Sequence, residues 1–385
     1  MAAQFKSLLK QYPVVTIMGP RQSGKTTLVR EYCSDYPYVS LEDPNNRAIA
    51  SDDPIAFLKQ YPEKLIIDEF QHVPALLSYI QTIVDEKQSE GMYILTGSQQ
   101  PNIHAAVSQS LAGRTALLEL LPLNQQELHK ASIELSLNEQ LLHGGYPRIY
   151  NKKLNPTQYY KDYVKTYLER DVRQLINLKD LMLFQKFIKL CAARTGCVFN
   201  ASNLANDVGV SQHTVNHWVS ILQASYLVRF LTPYHENFGK QAIKSPKLYF
   251  TDVGLAVYLL EIESLPQLQR DPLYGNLFET FVVMDLIKTR FNIGREPNLY
   301  YYRDAQKHEV DLIYKKGNEL IPIEIKSTQT YRKELKKGLL YFKKIVGDRC
   351  GKMHLIYAGD KTISLSDCDL INYKHCREIF KEPEQ

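Results

Sequence analysis

Short apolar runs alternate with amphipathic stretches over the first 130 residues. The run at 14–18 (Val-Val-Thr-Ile-Met) is rich in β-branched residues; a glycine loop follows it, and the pattern at 25–33 predicts a helix. Further apolar runs at 65–67, 93–96 and 115–121 predict three more strands. Strands separated by helical patterns imply a parallel sheet with helices on both faces. From 132 to 180 the pattern turns helical and is rich in tyrosine and charge. Residues 181–260 read as a compact helical unit followed by a strand pair at 226–231 and 247–251. From 274 the signal changes again: a helix over 277–289 precedes strands at 299–302, 310–314 and 321–325. No internal repeat or low-complexity stretch interrupts this order, and the polar tail from Lys381 is expected to fray.

At 385 residues the chain is too long for one ordinary core. The pattern divides it into an α/β unit at 1–130, a helical lid or linker at 131–180, a helix-rich unit at 181–262 and a second α/β unit at 263–385. Hydrophobic residues at 44% and charged residues at 23% are ordinary for a soluble globular protein. The net charge of +5 permits nucleic-acid contact without demanding it, because only a clustered basic face is informative. None of the six cysteines forms a C-x-x-C pair, so no zinc site is expected and the thiols read as reduced. No apolar run approaches the roughly 20 residues that span a bilayer, and no signal-peptide core is visible. The expectation is a cytoplasmic protein without a membrane partner.

Gly19-Pro20-Arg21-Gln22-Ser23-Gly24-Lys25-Thr26-Thr27 fits the phosphate-binding pattern G-x-x-x-x-G-K-[ST] in its required strand–loop–helix context. Gly19 and Gly24 let the backbone curl so that N–H groups face phosphate oxygens, and the following helix adds its positive end. Lys25 is expected on the β- and γ-phosphates of ATP, and the Thr26 hydroxyl on Mg²⁺. The second half of the site is Leu65-Ile-Ile-Asp68-Glu69, an apolar strand with two acids at its carboxyl end, where ligands of α/β sheets bind. Asp68 is expected to hold Mg²⁺ and Glu69 to polarise the attacking water. Tyr93-Ile-Leu-Thr96-Gly-Ser98 is a third strand ending in polar residues, so Thr96 or Ser98 is placed to sense the γ-phosphate.

Together with Leu111-Ala-Gly-Arg114 before the next strand, these motifs resemble an AAA-type ATPase. More narrowly, the chain resembles a bacterial and archaeal family in which such a module is fused to a C-terminal domain of unknown function. Leu121-Pro-Leu, Gly144-Gly-Tyr-Pro-Arg148 and Tyr167-Leu-Glu-Arg-Asp171 extend the match over nearly the whole chain. The resemblance implies that Arg114 reaches a neighbouring subunit's nucleotide as an arginine finger, which implies a homo-oligomer, with a hexamer in view. It also makes Arg148, on the helical lid, a second sensor. Arg21 reads as a support for the loop or for a neighbour.

Asn200 to Leu222 reads as helix–turn–helix: Ala205 is small where helices cross, Gly209 sits in the turn and Ser211 caps the next helix. Val215, Trp218, Val219 and Leu222 have core spacing, which exposes Gln212, His213, Asn216 and His217. With the strand pair as a wing, the unit looks like a winged helix. It either reads DNA through Gln212, His213 and Asn216 or serves as a packing module; the helix is poor in Arg and Lys.

In the C-terminal unit, Glu279 lies on the predicted helix, Asp311 on a strand, and Glu324-Ile-Lys326 on the next. Alternation puts Glu324 and Lys326 on one strand face, with Asp311 across a hairpin. The set resembles the restriction-endonuclease-like PD-(D/E)-x-K fold, in which the carboxylates bind Mg²⁺ and Lys326 orients water. His308 and Glu309 sit at the rim, and Arg303 and Lys307 are candidates for phosphate. Two readings follow: an ATP-dependent enzyme acting on duplex or branched DNA, with cleavage or with a non-cutting nuclease fold, or a nucleotide-dependent switch that binds DNA or a protein partner without cutting.

Overall fold

The residues at 14–18 form strand β1 (Val14–Met18), buried at every position, which is why its run is almost wholly apolar. Its one hydroxyl, that of Thr16, is bonded to the Thr115 hydroxyl at 2.9 Å. The computed structural model describes residues 1–98, 107, 109–166, 181–234 and 243–381. Around β1 lie β2 (Tyr38–Ser40), β3 (Leu65–Asp68), β4 (Tyr93–Gly97) and β5 (Thr115–Glu119), in the order β2-β3-β4-β1-β5. All pairs are parallel, with Met18 opposite Gly97 and Asp68 opposite Thr96. This register aligns the carboxyl ends of β1, β3 and β4, so the chain leaves all three at one edge of the sheet. The edge strand β2 was not foreseen from the pattern, because three residues are too short to show alternation.

The segment Ser136–Asp252 supplies short helices at Leu137–His143, Pro147–Asn151 and Pro156–Tyr163. After the undescribed stretch at 167–180, which contains the Tyr167–Asp171 motif, come helices Leu181–Ala192, Ala201–Val208 and Gln212–Ala224. Ser211 caps the last of these by accepting the Thr214 N–H at 3.0 Å. Val215, Trp218, Val219 and Leu222 are buried, with Trp218 edge-on to Phe184 and Phe187. Strands β6 (Cys197–Val198), β7 (Val228–Leu231) and β8 (Lys247–Phe250) form an antiparallel sheet in the order β6-β8-β7.

The C-terminal unit is a six-stranded mixed sheet, β13-β14-β12-β11-β10-β9. Strands β9 (Leu299–Arg303), β10 (Glu309–Lys316) and β11 (Glu319–Lys326) are an antiparallel meander. Beyond them β12 (Met353–Tyr357) and β14 (Cys368–Asn372) run parallel, edged by β13 (Ile363–Ser364). Ile321, Ile323 and Ile325 share a core with Phe278 and Val282 of the long helix Tyr274–Asn292. Leu320, Val310 and Ile313 share another with Leu339 and Phe342 of helix Lys337–Val346. Alternate strand residues thus serve opposite layers. Among the described residues, no helix is long and apolar enough to cross a membrane.

Candidate nucleotide site and carboxylate cluster

The loop after β1 needs glycine at both ends. A Cβ on Gly19 would lie 2.1 Å from the Leu120 carbonyl oxygen, so no larger residue fits there. Gly24 is left-handed, at φ 98°. The buried Lys25 ammonium donates to the carbonyls of Gly19 and Pro20 at 2.9 and 2.8 Å. Burial pushes its pKa down to about 8, against the opposing pull of Glu69 and Asp68. Ser23 Oγ is buried in the same loop without a hydrogen-bond partner. A phosphate oxygen suits that orphaned hydroxyl, and the site fits a nucleotide.

Asp68 and Thr26 meet as the sequence implied: the Thr26 hydroxyl donates to Asp68 Oδ2 at 3.1 Å. Tyr38 donates to the same oxygen at 2.6 Å, and the Thr96 hydroxyl donates to Oδ1. A hydroxyl from the start of a helix and a carboxylate from the end of a strand are a hard, oxygen-only donor set that suits Mg²⁺. Glu69, at φ 54°, takes a left-handed backbone that non-glycine residues adopt rarely. Its Oε2 accepts the Ser98 N–H at 3.1 Å, the Ser98 hydroxyl at 2.9 Å and the Gln71 amide. Burial raises the Glu69 pKa, but Lys25 and these hydrogen bonds outweigh it and hold the carboxyl below its ordinary range. Ser98 therefore sits on Glu69.

The two arginines fall in different places. Arg148 is exposed on the helix whose first residue, Pro147, lies 3.7 Å from where a Gly24 Cβ would stand. Tyr159 donates to Gln22 Oε1 at 3.0 Å, so this helical segment rests on the phosphate loop. Arg114 precedes β5 at the opposite edge of the sheet and is not brought to its own chain's loop. Its guanidinium makes a two-pronged pair with Asp85, 2.5 and 2.8 Å. Arg21 lies 3.6 Å from Glu42.

On the middle unit, Gln212, His213, Asn216 and His217 are all exposed along one helix face. In the C-terminal unit the four predicted residues do converge. A bulge in the β9–β10 pairing between Val310 and Ile313 re-aims Asp311, and the register that pairs Leu312 with Ile323 brings it beside Glu324. Lys326 Nζ lies 2.8 Å from both Asp311 Oδ2 and Glu324 Oε1, and the Ile325 N–H donates to Asp311 at 2.8 Å. Burial, reinforced by Asp311, pushes the Glu324 carboxyl up, whereas Lys326 and Lys247 outweigh burial and hold Asp311 down.

The residue that the pattern did not mark is Lys247, the first residue of β8. It is 2% exposed and reaches Glu279 Oε1 at 2.9 Å and Glu309 Oε1 at 2.6 Å. Tyr249 donates to the same Glu279 oxygen at 2.6 Å. A lysine opening an otherwise apolar buried strand, Lys247-Leu-Tyr-Phe, is the signal that marks it. Removing one partner of such a buried pair costs about 3–5 kcal/mol, because the other charge is stranded. Every carboxylate of the cluster carries an ammonium group, and among the described residues no three His, Cys, Asp or Glu side chains are arranged to hold a metal. The set as it stands does not fit Mg²⁺.

The parallel sheet, the glycine loop with its buried lysine, and the acids at the end of β3 define an AAA-type, P-loop ATPase-like unit, and residues 11–129 match an AAA domain family. Residues 134–265 and 274–376 match two domains of unknown function, DUF8612 and DUF4143. The chain is 31% identical over 371 residues to the uncharacterized protein Rv2008c of Mycobacterium tuberculosis, covering 95% of this chain and 81% of that one, and it belongs to the same family. It is 25% identical over 345 residues to the uncharacterized protein MJ1544 of Methanocaldococcus jannaschii, covering 80% and 74%. Among solved structures it aligns with the Walker-type ATPase PABY2304 of Pyrococcus abyssi at 14% identity and a TM-score of 0.46, covering 67% of this chain and 94% of that one. It also aligns with the RuvB Holliday junction branch migration motor of Thermotoga maritima at 18% identity and a TM-score of 0.28, covering 60% and 85%.

Proposed function

We propose that this protein is a Mg²⁺-dependent ATPase that couples its nucleotide state to DNA binding or processing. The observation that carries the reading is the buried Lys25 inside the glycine loop, facing the Thr26–Asp68 pair and Glu69. Lys25 binds the β- and γ-phosphates, and the loop N–H groups orient them. Thr26 and Asp68 would hold the magnesium ion, which supplies charge neutralisation across the transferring phosphoryl group. Glu69 takes the proton of the attacking water, while the bond from the γ-phosphorus to the leaving ADP oxygen breaks. With Oε2 committed to Ser98 and Gln71, Oε1 is the oxygen that receives it. Arg114 acts on a neighbouring copy's nucleotide, and Arg148 on its own.

A continuous run of contacts supports coupling. The helical segment on the phosphate loop reaches Asp252 through Tyr160, 2.6 Å, and the Gly145 N–H, 2.6 Å. Asp252 caps helix Val253–Leu259, which abuts the long helix Tyr274–Asn292 of the C-terminal unit. The winged-helix reading is supported by three helices followed by a sheet ribbon and by the exposed polar face of helix Gln212–Ala224.

The deciding measurement is ATP turnover with and without duplex, single-stranded and branched DNA, with Lys25→Ala as the blank. Stimulation by one DNA form supports work on DNA and names its shape; loss of that stimulation in a Gln212→Ala, His213→Ala, Asn216→Ala triple variant assigns the contact. Turnover that persists in Lys25→Ala overturns the site. A second reading, a switch that binds DNA or protein without cutting, is favoured by the lysines bonded to every carboxylate of the C-terminal cluster. ATPase activity indifferent to all three DNA forms selects it.

A further inference from the structure

Four carboxylates, Glu279, Glu309, Asp311 and Glu324, gather where β8 meets the long helix and the β10–β11 hairpin. Three cations answer them. Lys326 bonds Asp311 and Glu324, Arg303 lies 3.2 Å from Glu309, and Lys247 bridges Glu279 and Glu309. Glu324 Oε2 is buried without a hydrogen-bond partner and faces Gly338. A divalent cation takes most of its ligands from carboxylate and carbonyl oxygens, and an ammonium group at hydrogen-bond distance uses the same lone pairs.

The two lysines differ in origin. Lys326 is on the same strand as Glu324 and cannot leave it. Lys247 comes from β8, whose sheet partners are β6 and β7 of the middle unit. We propose that Lys247 is a built-in counter-ion that keeps the C-terminal carboxylate cluster closed to divalent cations such as Mn²⁺ and Mg²⁺. Withdrawing Lys247 leaves one more uncompensated negative charge beside an already unpartnered carboxylate oxygen. The inference rests on the nuclease-like reading of this unit only for the identity of the ligands.

The test is Mn²⁺ binding to the full chain without nucleotide, followed by the electron paramagnetic resonance signal of free Mn²⁺. Lys247→Met should gain one Mn²⁺ site, filled at about ten-fold or more lower concentration than any site in the unaltered protein. Adding Asp311→Asn should remove it, and Lys247→Arg should stay closed. Should Lys247→Met melt out, Lys247→Met with Glu279→Gln removes the stranded charge as well and carries the same test through Asp311 and Glu324. No gain in either variant, or an Asp311-dependent Mn²⁺ site already present with Lys247 in place, overturns the proposal. Cleavage of supercoiled DNA is read in parallel. Mn²⁺ bound without cleavage keeps the counter-ion and sinks the nuclease reading; cleavage by the unaltered protein at rest, equal to that of Lys247→Met, does the reverse.

Discussion

Ser98 donates both its backbone N–H and its hydroxyl to a single oxygen of Glu69, at 3.1 and 2.9 Å. A residue at the end of the strand beside the phosphate loop thus aims the candidate base, and Gln71 completes the cradle.

Replacing Ser98 with Ala should lower turnover by roughly ten-fold while ATP affinity holds, because a looser carboxylate loses orientation rather than a ligand contact. Glu69→Gln should keep ATP bound and lose about 10²–10⁴ in turnover. The split between kcat and Kd is the readout. Affinity falling in step with turnover in Ser98→Ala would mean that Ser98 touches the γ-phosphate instead. Normal turnover in Glu69→Gln would remove it as the base.

Lys25 gives a pH signature. Burial lowers its pKa from 10.5 to about 8 in the ligand-free protein. The unfolded chain therefore holds more protons than the native one between those two values, and stability should rise as pH goes from 8 towards 10.5. Phosphate beside the ammonium favours the charged form. ATP binding near pH 8 should then draw in about half a proton, seen by calorimetry in buffers of different ionisation heat. Proton release on binding would contradict the burial argument.

Much of the nucleotide site was legible because its chemistry imposes local spacing: a glycine curl, a lysine at the helix start and acids at a strand end need only neighbours in sequence. Glu324 and Lys326 were legible for the same reason, being two apart on one strand. Lys247 was not, since its role comes from a contact with Glu279, 32 residues away, made only when the middle and C-terminal units pack. Tyr38 on Asp68, Asp85 on Arg114 and Asp252 under Gly145 are of that kind too. Strands β12 and β14 also went unread; β12 joins the meander through β11 from far along the sequence, and β14 pairs with β12.

The Gly144 junction is expected to be sensitive. A Cβ there would stand 2.2 Å from the Tyr160 hydroxyl and 2.3 Å from Asp252 Oδ1, at φ 65°. Gly144→Ala therefore combines backbone strain with a clash against two buried, mutually bonded groups, a loss of roughly 3 kcal/mol. Gly209 is also left-handed, at φ 92°, but a Cβ there meets nothing within 4 Å. Thermal melting should fall by roughly 5–10 °C in Gly144→Ala and by only a few degrees in Gly209→Ala. Equal shifts would show that strain alone matters and that the Tyr160–Asp252 contact is not what the glycine protects.

Arg114 is the place to test whether copies of the chain cooperate. It lies at the amino end of β5, across the sheet from its own phosphate loop, so it has no route to its own nucleotide without unfolding β5. Its pair with Asp85 is exposed, and exposed ion pairs hold weakly, so a phosphate on a neighbouring copy can compete for the guanidinium. Arg114→Ala should cut turnover by about 10³ or more and leave ATP affinity unchanged. Lys25→Ala should be inactive for a different reason, lacking the phosphate contact but keeping Arg114. Mixing the two inactive chains should restore part of the activity, because a Lys25→Ala copy can offer Arg114 to the intact site of an Arg114→Ala copy. Activity should then rise with the square of protein concentration in the dilute range. Mixtures that stay silent, with each variant folded, would mean that Arg114 only anchors Asp85 and that hydrolysis is completed within one chain.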